Sequence, residues 1–140
     1  MDKDIEIIRG EARRIKRIVQ YFNKVKHGQW ISFFESGLIQ EIGNYNEGIE
    51  FGIWKEWYRS GQLKEECHYR EGRKIPLNFW DEQGNKLLEN GTGHTIEKFG
   101  TKEYDVYKHF YQNGEFKSKE KIEGVSFGKF KPNTPHSRNS

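Results

Sequence analysis

The chain repeats itself every 24 residues, and no other feature restricts its possible folds so strongly. Tyr21, Tyr45 and Tyr69 keep this spacing. So do Gly28 and Gly52, Trp30 and Trp54, Ser36 and Ser60, Gly37 and Gly61, and Gly48 and Gly72. A period of this length marks a repeat architecture, in which each unit is one supersecondary element that cannot bury its apolar side alone. Rings and glycines held at fixed slots are therefore scaffold residues before they are anything else.

The clearest units are 27–50 and 51–74. Each holds two short aromatic or β-branched runs separated by turn signals, the pattern of a β-hairpin followed by a second turn. The first turn is Glu35-Ser36-Gly37 or Arg59-Ser60-Gly61, and the second is Asn46-Glu47-Gly48 or Arg70-Glu71-Gly72. Glycine suits both, because turns of this kind need positive φ at one residue. A third unit drifts: Phe79-Trp80-Asp81-Glu82-Gln83-Gly84 keeps the aromatic pair and the turn with its spacing off by one residue. Pro76 stands near the slot of the missing Trp. It cannot donate to a ladder, which predicts an interrupted or bulged strand there. Tyr107 to Gly114 overlays Trp54 to Gly61 without a gap, and Gly124 to Gly128 overlays Gly48 to Gly52. These assignments give one repeat domain over 1–130 with about five hairpins, the first and third degenerate, and a flexible tail over 131–140.

Two points stay open in the pattern. Residues 5–25 fit a helical stripe through Ile8, Ala12, Ile15, Val19 and Phe22, so a short N-terminal helix could cap the sheet. They also fit a degenerate first hairpin, in which Arg13 and Lys24 fill slots that hold glycine elsewhere, and the conserved spacing of Tyr21 to Gly28 favours this second reading. Strand register is the other point. A two-residue turn at Ser36-Gly37 and its equivalent sets Trp30 beside Gly43 and Trp54 beside Cys67, but it also sets Glu56 against Glu65, and like charges directly opposite are unfavourable. A three-residue turn with a glycine bulge pairs Glu56 with Lys64 and Tyr58 with Gln62, and puts Trp57 on the face of Leu63. The charges favour the latter.

At these residues the chain resembles the MORN-variant repeat family, whose units read Gly-x-Trp, an aromatic pair, Asn/Ser-Gly, a charged strand, Tyr and Gly. Here that is Gly28-Gln29-Trp30 through Ser36-Gly37 to Tyr45 and Gly48, then Gly52 to Gly72. The stretch Trp80 to Gly93 is similar to one common in the bacterial YwqK-type antitoxins. The resemblance implies an all-β fold, an elongated single antiparallel sheet of consecutive hairpins with a groove-like face. About ten strands at a roughly 4.8 Å spacing make a sheet on the order of 45–50 Å long. It also implies a scaffold or partner-binding role, most concretely an antitoxin or immunity protein acting on a toxin.

Composition agrees with a thin structure. Only 33% of residues are hydrophobic, 32% are charged and 15% are aromatic, so large rings carry the burial. With one cysteine, Cys67, no internal disulfide can form, and a cytoplasmic setting is expected. No apolar run approaches the roughly 18 residues of a membrane span. No catalytic set, metal site or cofactor motif emerges. The five histidines show no metal-ligand spacing, and Gly91-Thr92-Gly93 lacks the lysine of a phosphate loop. Cys67 fills the slot of Gly43 and reads as packing, while His109 fills the slot of Glu56 and reads as a solvent-facing repeat position. Glu65-Glu66 and Asp81-Glu82 are neighbours on a strand and point to opposite faces.

The function expected is therefore binding. Candidate contacts to a protein partner are Phe33, Phe34, Trp57, Tyr58, Arg59, Phe110 and Tyr111, since Trp, Tyr and Arg dominate interface energetics. The alternative is a scaffold, or a module for an anionic surface (nucleic acid or phospholipid) that uses the basic segment 9–26. Arg13, Arg14, Lys16 and Arg17 are its candidate contacts.

Overall fold

The computed structural model describes residues 2–100 and 103–126. Its strands are β1 (Lys3–Arg9), β2 (Ile15–Phe22), β3 (Val25–Phe33), β4 (Ile39–Asn46), β5 (Ile49–Trp57), β6 (Leu63–Arg70), β7 (Arg73–Trp80), β8 (Lys86–Glu89), β9 (Thr92–Phe99), β10 (Glu103–Gln112) and β11 (Glu115–Ser126). They form one 11-stranded sheet in strict sequence order, each strand antiparallel to the next. The fold is the all-β hairpin meander that the repeat implies. Residues 3–22 are two strands rather than a cap helix, and only a 3-10 turn at Glu11–Arg13 joins them. The tail over 131–140 lies outside the described residues.

The two edges of the sheet carry different turns. Along one edge run two-residue turns with left-handed φ at both central residues, as type I′ geometry requires: Asn23-Lys24, Glu47-Gly48, Glu71-Gly72, Asn90-Gly91 and Asn113-Gly114. Along the other edge run three-residue turns. Phe34 N–H donates to Leu38 O and Tyr58 N–H to Gln62 O, with Gly37 and Gly61 at φ near +95°. Asp81 and Asn85 repeat the arrangement around Gly84. As the repeat register anticipates, Arg13 (φ 60°) and Lys24 (φ 67°) occupy glycine slots.

The register combines the two alternatives. Tyr58 pairs with Gln62 and Trp57 with Leu63, as a three-residue turn demands. A bulge at Lys64 then shifts the ladder, so Glu56 faces Glu65 and Trp54 faces Cys67. Glu56 is thus not the backbone partner of Lys64, although their side chains form an ion pair at 3.4 Å. The same bulge recurs at Lys16, Gln40 and Leu87. A second column of bulges runs through Gly28, Gly52 and Leu77, where a strand gains residues over its neighbour. Pro76 occupies the Gly52 slot 24 residues on and pairs with Cys67, and the bulge expected near it falls on the next residue, Leu77.

Two other expectations fail for one reason. Tyr107 to Gly114 does not follow Trp54 to Gly61, because Asn113-Gly114 is a two-residue turn on the opposite edge from Ser60-Gly61. Its true counterparts are Glu47-Gly48 and Glu71-Gly72, which makes Tyr111 the equivalent of Tyr45 and Tyr69. Gly124 is not a turn either: it continues β11 and pairs with Asp105.

Among the described residues, every fully buried side chain of the sheet lies on one face. Val19, Trp54, Cys67, Phe79, Leu88 and Thr95 are all at most 5% exposed, and register places them together. This is the aromatic face. The other, the isoleucine face, carries Ile7, Ile18, Ile31 and Ile42 directly opposite one another across β1–β4. A left-handed conformation costs an L-residue about 1–2 kcal/mol, less the entropy glycine loses on folding. Lys24→Gly should therefore raise the unfolding free energy by up to ~1 kcal/mol, read as a higher denaturation midpoint, and Gly48→Lys should lower it. An unchanged midpoint for Lys24→Gly would show that the turn at 23–24 relaxes without strain.

Candidate functional site

Three surfaces carry the chemistry: the ladder on the aromatic face, a groove along the three-residue turns, and the isoleucine face.

The ladder is built by the period itself. Trp30, Tyr45, Trp54 and Tyr69 pack edge to face in sequence, with centroids 5.9, 5.3 and 5.7 Å apart. A single-layer sheet can bury an indole only where the neighbouring strand makes room. Gly43 does so. A Cβ there would overlap the Trp54 ring carbons at about 2 Å. The Trp54 indole N–H donates to Asn44 O at 3.1 Å. Cations close the ladder at the β3 end, with Arg17 over Trp30 at 5.4 Å and Lys26 over Trp30 and Tyr45 at 5.1 Å. Burial pushes the Tyr69 hydroxyl up to about 12 and the Cys67 thiol up to about 12, so Cys67 is an inert packing residue, as its slot predicts.

Beside the rings runs a row of carboxylates. Glu41 faces Glu56, and Glu56 faces Glu65, on three successive strands. Burial, then the charge of Glu56, raises the pKa of Glu41. Burial raises that of Glu65 against the opposing pull of Lys74, whose Nζ lies 2.9 Å from Glu65 Oε1. Glu66, on the other face, pairs with Lys55 at 3.1 Å, so Glu65 and Glu66 do point apart. Among the described residues, no cluster of His, Cys, Asp and Glu could hold a metal ion.

The groove, of about 700 Å³, is lined by Arg14, Ile15, Lys16, Phe33, Phe34 and Arg59, with Glu11 and Glu35 at its sides. Arg14 Nη1 donates to Glu35 O at 2.6 Å, and Arg59 lies over Phe34 at 5.1 Å. The structure thus brings together members of both candidate sets: Phe33, Phe34 and Arg59 of one, Arg14 and Lys16 of the other. It separates the rest. Tyr58 donates its hydroxyl to Trp80 O at 2.7 Å and lies under Lys64, which ties two hairpins together. Trp57 lies on the isoleucine face opposite Leu63. Arg13 sits in the turn, where its carbonyl accepts from Arg9 Nη1, and Arg17 is on Trp30. Phe110 packs on His94 and Tyr111 on Phe116, far along the sheet. His109 is half-buried among Phe99, Tyr107 and Phe116 rather than solvent-facing, because its phase in the repeat differs from that of Glu56.

The isoleucine face was missed by sequence reasoning. Ile5, Ile7, Ile49, Phe51 and Ile53 are each 46–64% exposed there. The apolar row stops at the Lys55–Glu66 ion pair, where Asn78 Nδ2 also donates to Glu66 at 3.1 Å. The signal was present as isoleucines at alternating positions, but a period-2 pattern does not say which face of a sheet is covered.

The fold and these surfaces define an open sheet of hairpin repeats with no enclosed active site among the described residues. Residues 26–47 and 52–71 match the family model described as MORN repeat variant, and repeats of this kind are generally protein- or membrane-binding modules. Comparison with curated proteins and with solved structures finds no match.

Gly43→Ala forces a methyl group into a rigid ring and should cost about 2–3 kcal/mol, read as a lower unfolding midpoint and a changed near-ultraviolet circular dichroism band. The carboxylate row gives a pH prediction. A raised folded pKa means that the folded chain binds protons more readily than the unfolded one, so ionised Glu41 opposes folding, and this opposition fades as pH falls toward the usual value of 4.5. Glu41→Gln should therefore be more thermostable than the parent at pH 7, with the gain shrinking toward pH 5. Taking the difference between variants cancels the contribution of His94, whose lowered pKa works in the opposite direction. A gain that grows on acidification would contradict the assignment.

Proposed function

We propose that this protein acts in the cytoplasm as a non-enzymatic antitoxin or immunity protein, covering a toxin with the isoleucine face of β1–β5. The observation that carries this reading is the uncovered apolar surface. Exposed apolar patches mark interaction sites, and here the continuous row Ile7, Ile18, Ile31 and Ile42 is held on a hydrogen-bonded sheet that needs little ordering to bind. Covering the exposed half of each isoleucine is worth on the order of 1 kcal/mol. Phe33 and Trp57, both candidate contacts from sequence, extend the same face through Ile39 and Leu63.

A second reading has its own support. The groove gathers Arg14, Lys16 and Arg59, which suits an anionic surface such as nucleic acid or phospholipid.

Co-expression with the adjoining reading frame distinguishes the two. The chain should relieve the toxicity of that frame and form a complex with its product that survives moderate salt. Ile7→Glu and Phe51→Glu, both on exposed positions, should abolish the relief without lowering the unfolding midpoint. Binding to phosphatidylglycerol vesicles or single-stranded DNA that collapses with salt, and is lost on Arg14→Glu but kept by Phe51→Glu, would replace the antitoxin reading with the second one.

A further inference from the structure

The apolar side chains of the isoleucine face fill one block of the sheet and then stop. Ile7, Ile18, Ile31 and Ile42 stand opposite one another across β1–β4. Ile5, Ile49, Phe51 and Ile53 flank them, each 46–64% exposed. Past the Lys55–Glu66 ion pair the same face is broken up by charge, as register sets Arg70, Arg73, Lys86 and Lys108 on it. Strands β1–β5 are seven to nine residues long. At ~4.8 Å between strands and ~3.3 Å per residue, the block measures about 24 by 26 Å, roughly 600 Å² in projection. Monomers rarely leave a contiguous apolar patch of more than a few hundred Å² open, whereas a stable pair needs about 1,000 Å² or more buried in total. Two such blocks laid face to face supply roughly 1,200 Å² before the relief of the side chains is counted.

We propose that a second copy of this chain covers the isoleucine face, in a two-fold dimer that sets β1 of one copy over β5 of the other. Beyond the area, composition selects this occupant. Charge on this face of β1–β5 sits at its rim, as Lys3, Arg9 and Lys55. A centre of aliphatic and aromatic side chains depleted of charge is the composition of homodimer interfaces, and it offers no charged group with which to single out a foreign partner. Symmetry then closes the assembly. A two-fold axis uses the same patch on both copies, so the block is covered and association stops at two. The charged half of the face fixes the direction of the axis. With the axis along the strands, β6–β11 of the two copies point away from each other and their charges stay in water. An axis across the strands would stack Arg70, Arg73, Lys86 and Lys108 on their own copies, with the sheets about 10 Å apart, and desolvate like charges. The pairing rests on the same uncovered face as the antitoxin reading but not on the partner being a toxin. It keeps that face closed until another protein takes the place of the second copy.

The test uses the full chain. Sedimentation equilibrium should give the mass of two copies at high micromolar concentration and of one copy on dilution. Ile7→Glu and Phe51→Glu should each stay single throughout, whereas Phe116→Glu, at a similarly exposed position on the aromatic face, should pair like the parent. Parent and Phe51→Glu should unfold together at dilution, and only the parent's midpoint should rise with concentration. A spin label on Glu89→Cys in β8 reads the arrangement, because Cys67 is buried and stays unlabelled. Five strand spacings on either side of β3 put the two labels on the order of 45 Å apart, while stacked charged halves would bring them near the ~10 Å between packed sheets. A one-copy mass at every concentration, a dimer indifferent to Phe51→Glu, or a short label distance would overturn the proposal. A dimer of this geometry that relieves no toxicity would uphold it and remove the antitoxin reading instead.

Discussion

The described residues form a single layer that has to bury its side chains against one another, and here the Trp54 ring over Gly43 makes that possible. The indole is only 5% exposed within a single layer of strands. It reaches that burial by lying flat across the bare backbone of β4, between Tyr45 and Tyr69. Edge-to-face pairs of this kind add about 0.5–1.5 kcal/mol beyond their area, and the period hands each ring the next one along. Past Tyr69 the ladder gives way to Phe79, Leu88 and Thr95, which are at most 2% exposed. The repeat degenerates at that point in sequence, but burial continues on the same face. What the chain preserves is the side on which it buries, more than the residue types.

The alternation of turn types explains which parts of this were legible in the sequence. Asn-Gly and Glu-Gly in two-residue turns and Ser-Gly in three-residue turns both appear as a glycine after a strand. Where the 24-residue period was intact, the spacing separated them, and Arg13 and Lys24 could be placed in left-handed slots from sequence alone. Where the period broke, Asn113-Gly114 read equally well as either, and the overlay slipped to the wrong edge of the sheet. The slip carried Phe110, Tyr111 and His109 into the wrong environments. Register failed in a different way. The choice between two turn lengths assumed an unbroken ladder, and the bulge at Lys64 allowed the three-residue turn and the Trp54–Cys67 pairing to coexist. Like-charge repulsion argued against Glu56 facing Glu65, but the geometry of the rings overrode it.

That override bears on how the faces divide their work. Burial makes the ionised forms of Glu41 and Glu65 oppose folding, and the structure tolerates them because the aromatic ladder beside them holds the register regardless. The isoleucine face shows the complementary tolerance: exposed apolar side chains contribute little to a sheet whose core is already on the other side. Stability from one stripe of rings thus frees the positions around it. Edge strand β1 fits the same logic. It carries Lys3, Asp4, Glu6 and Arg9 among its isoleucines, and charge on an open edge discourages further strand addition. Partners are thereby directed away from the edge and toward the faces, where selection can alter a row of side chains without disturbing the hydrogen-bonded ladder beneath it.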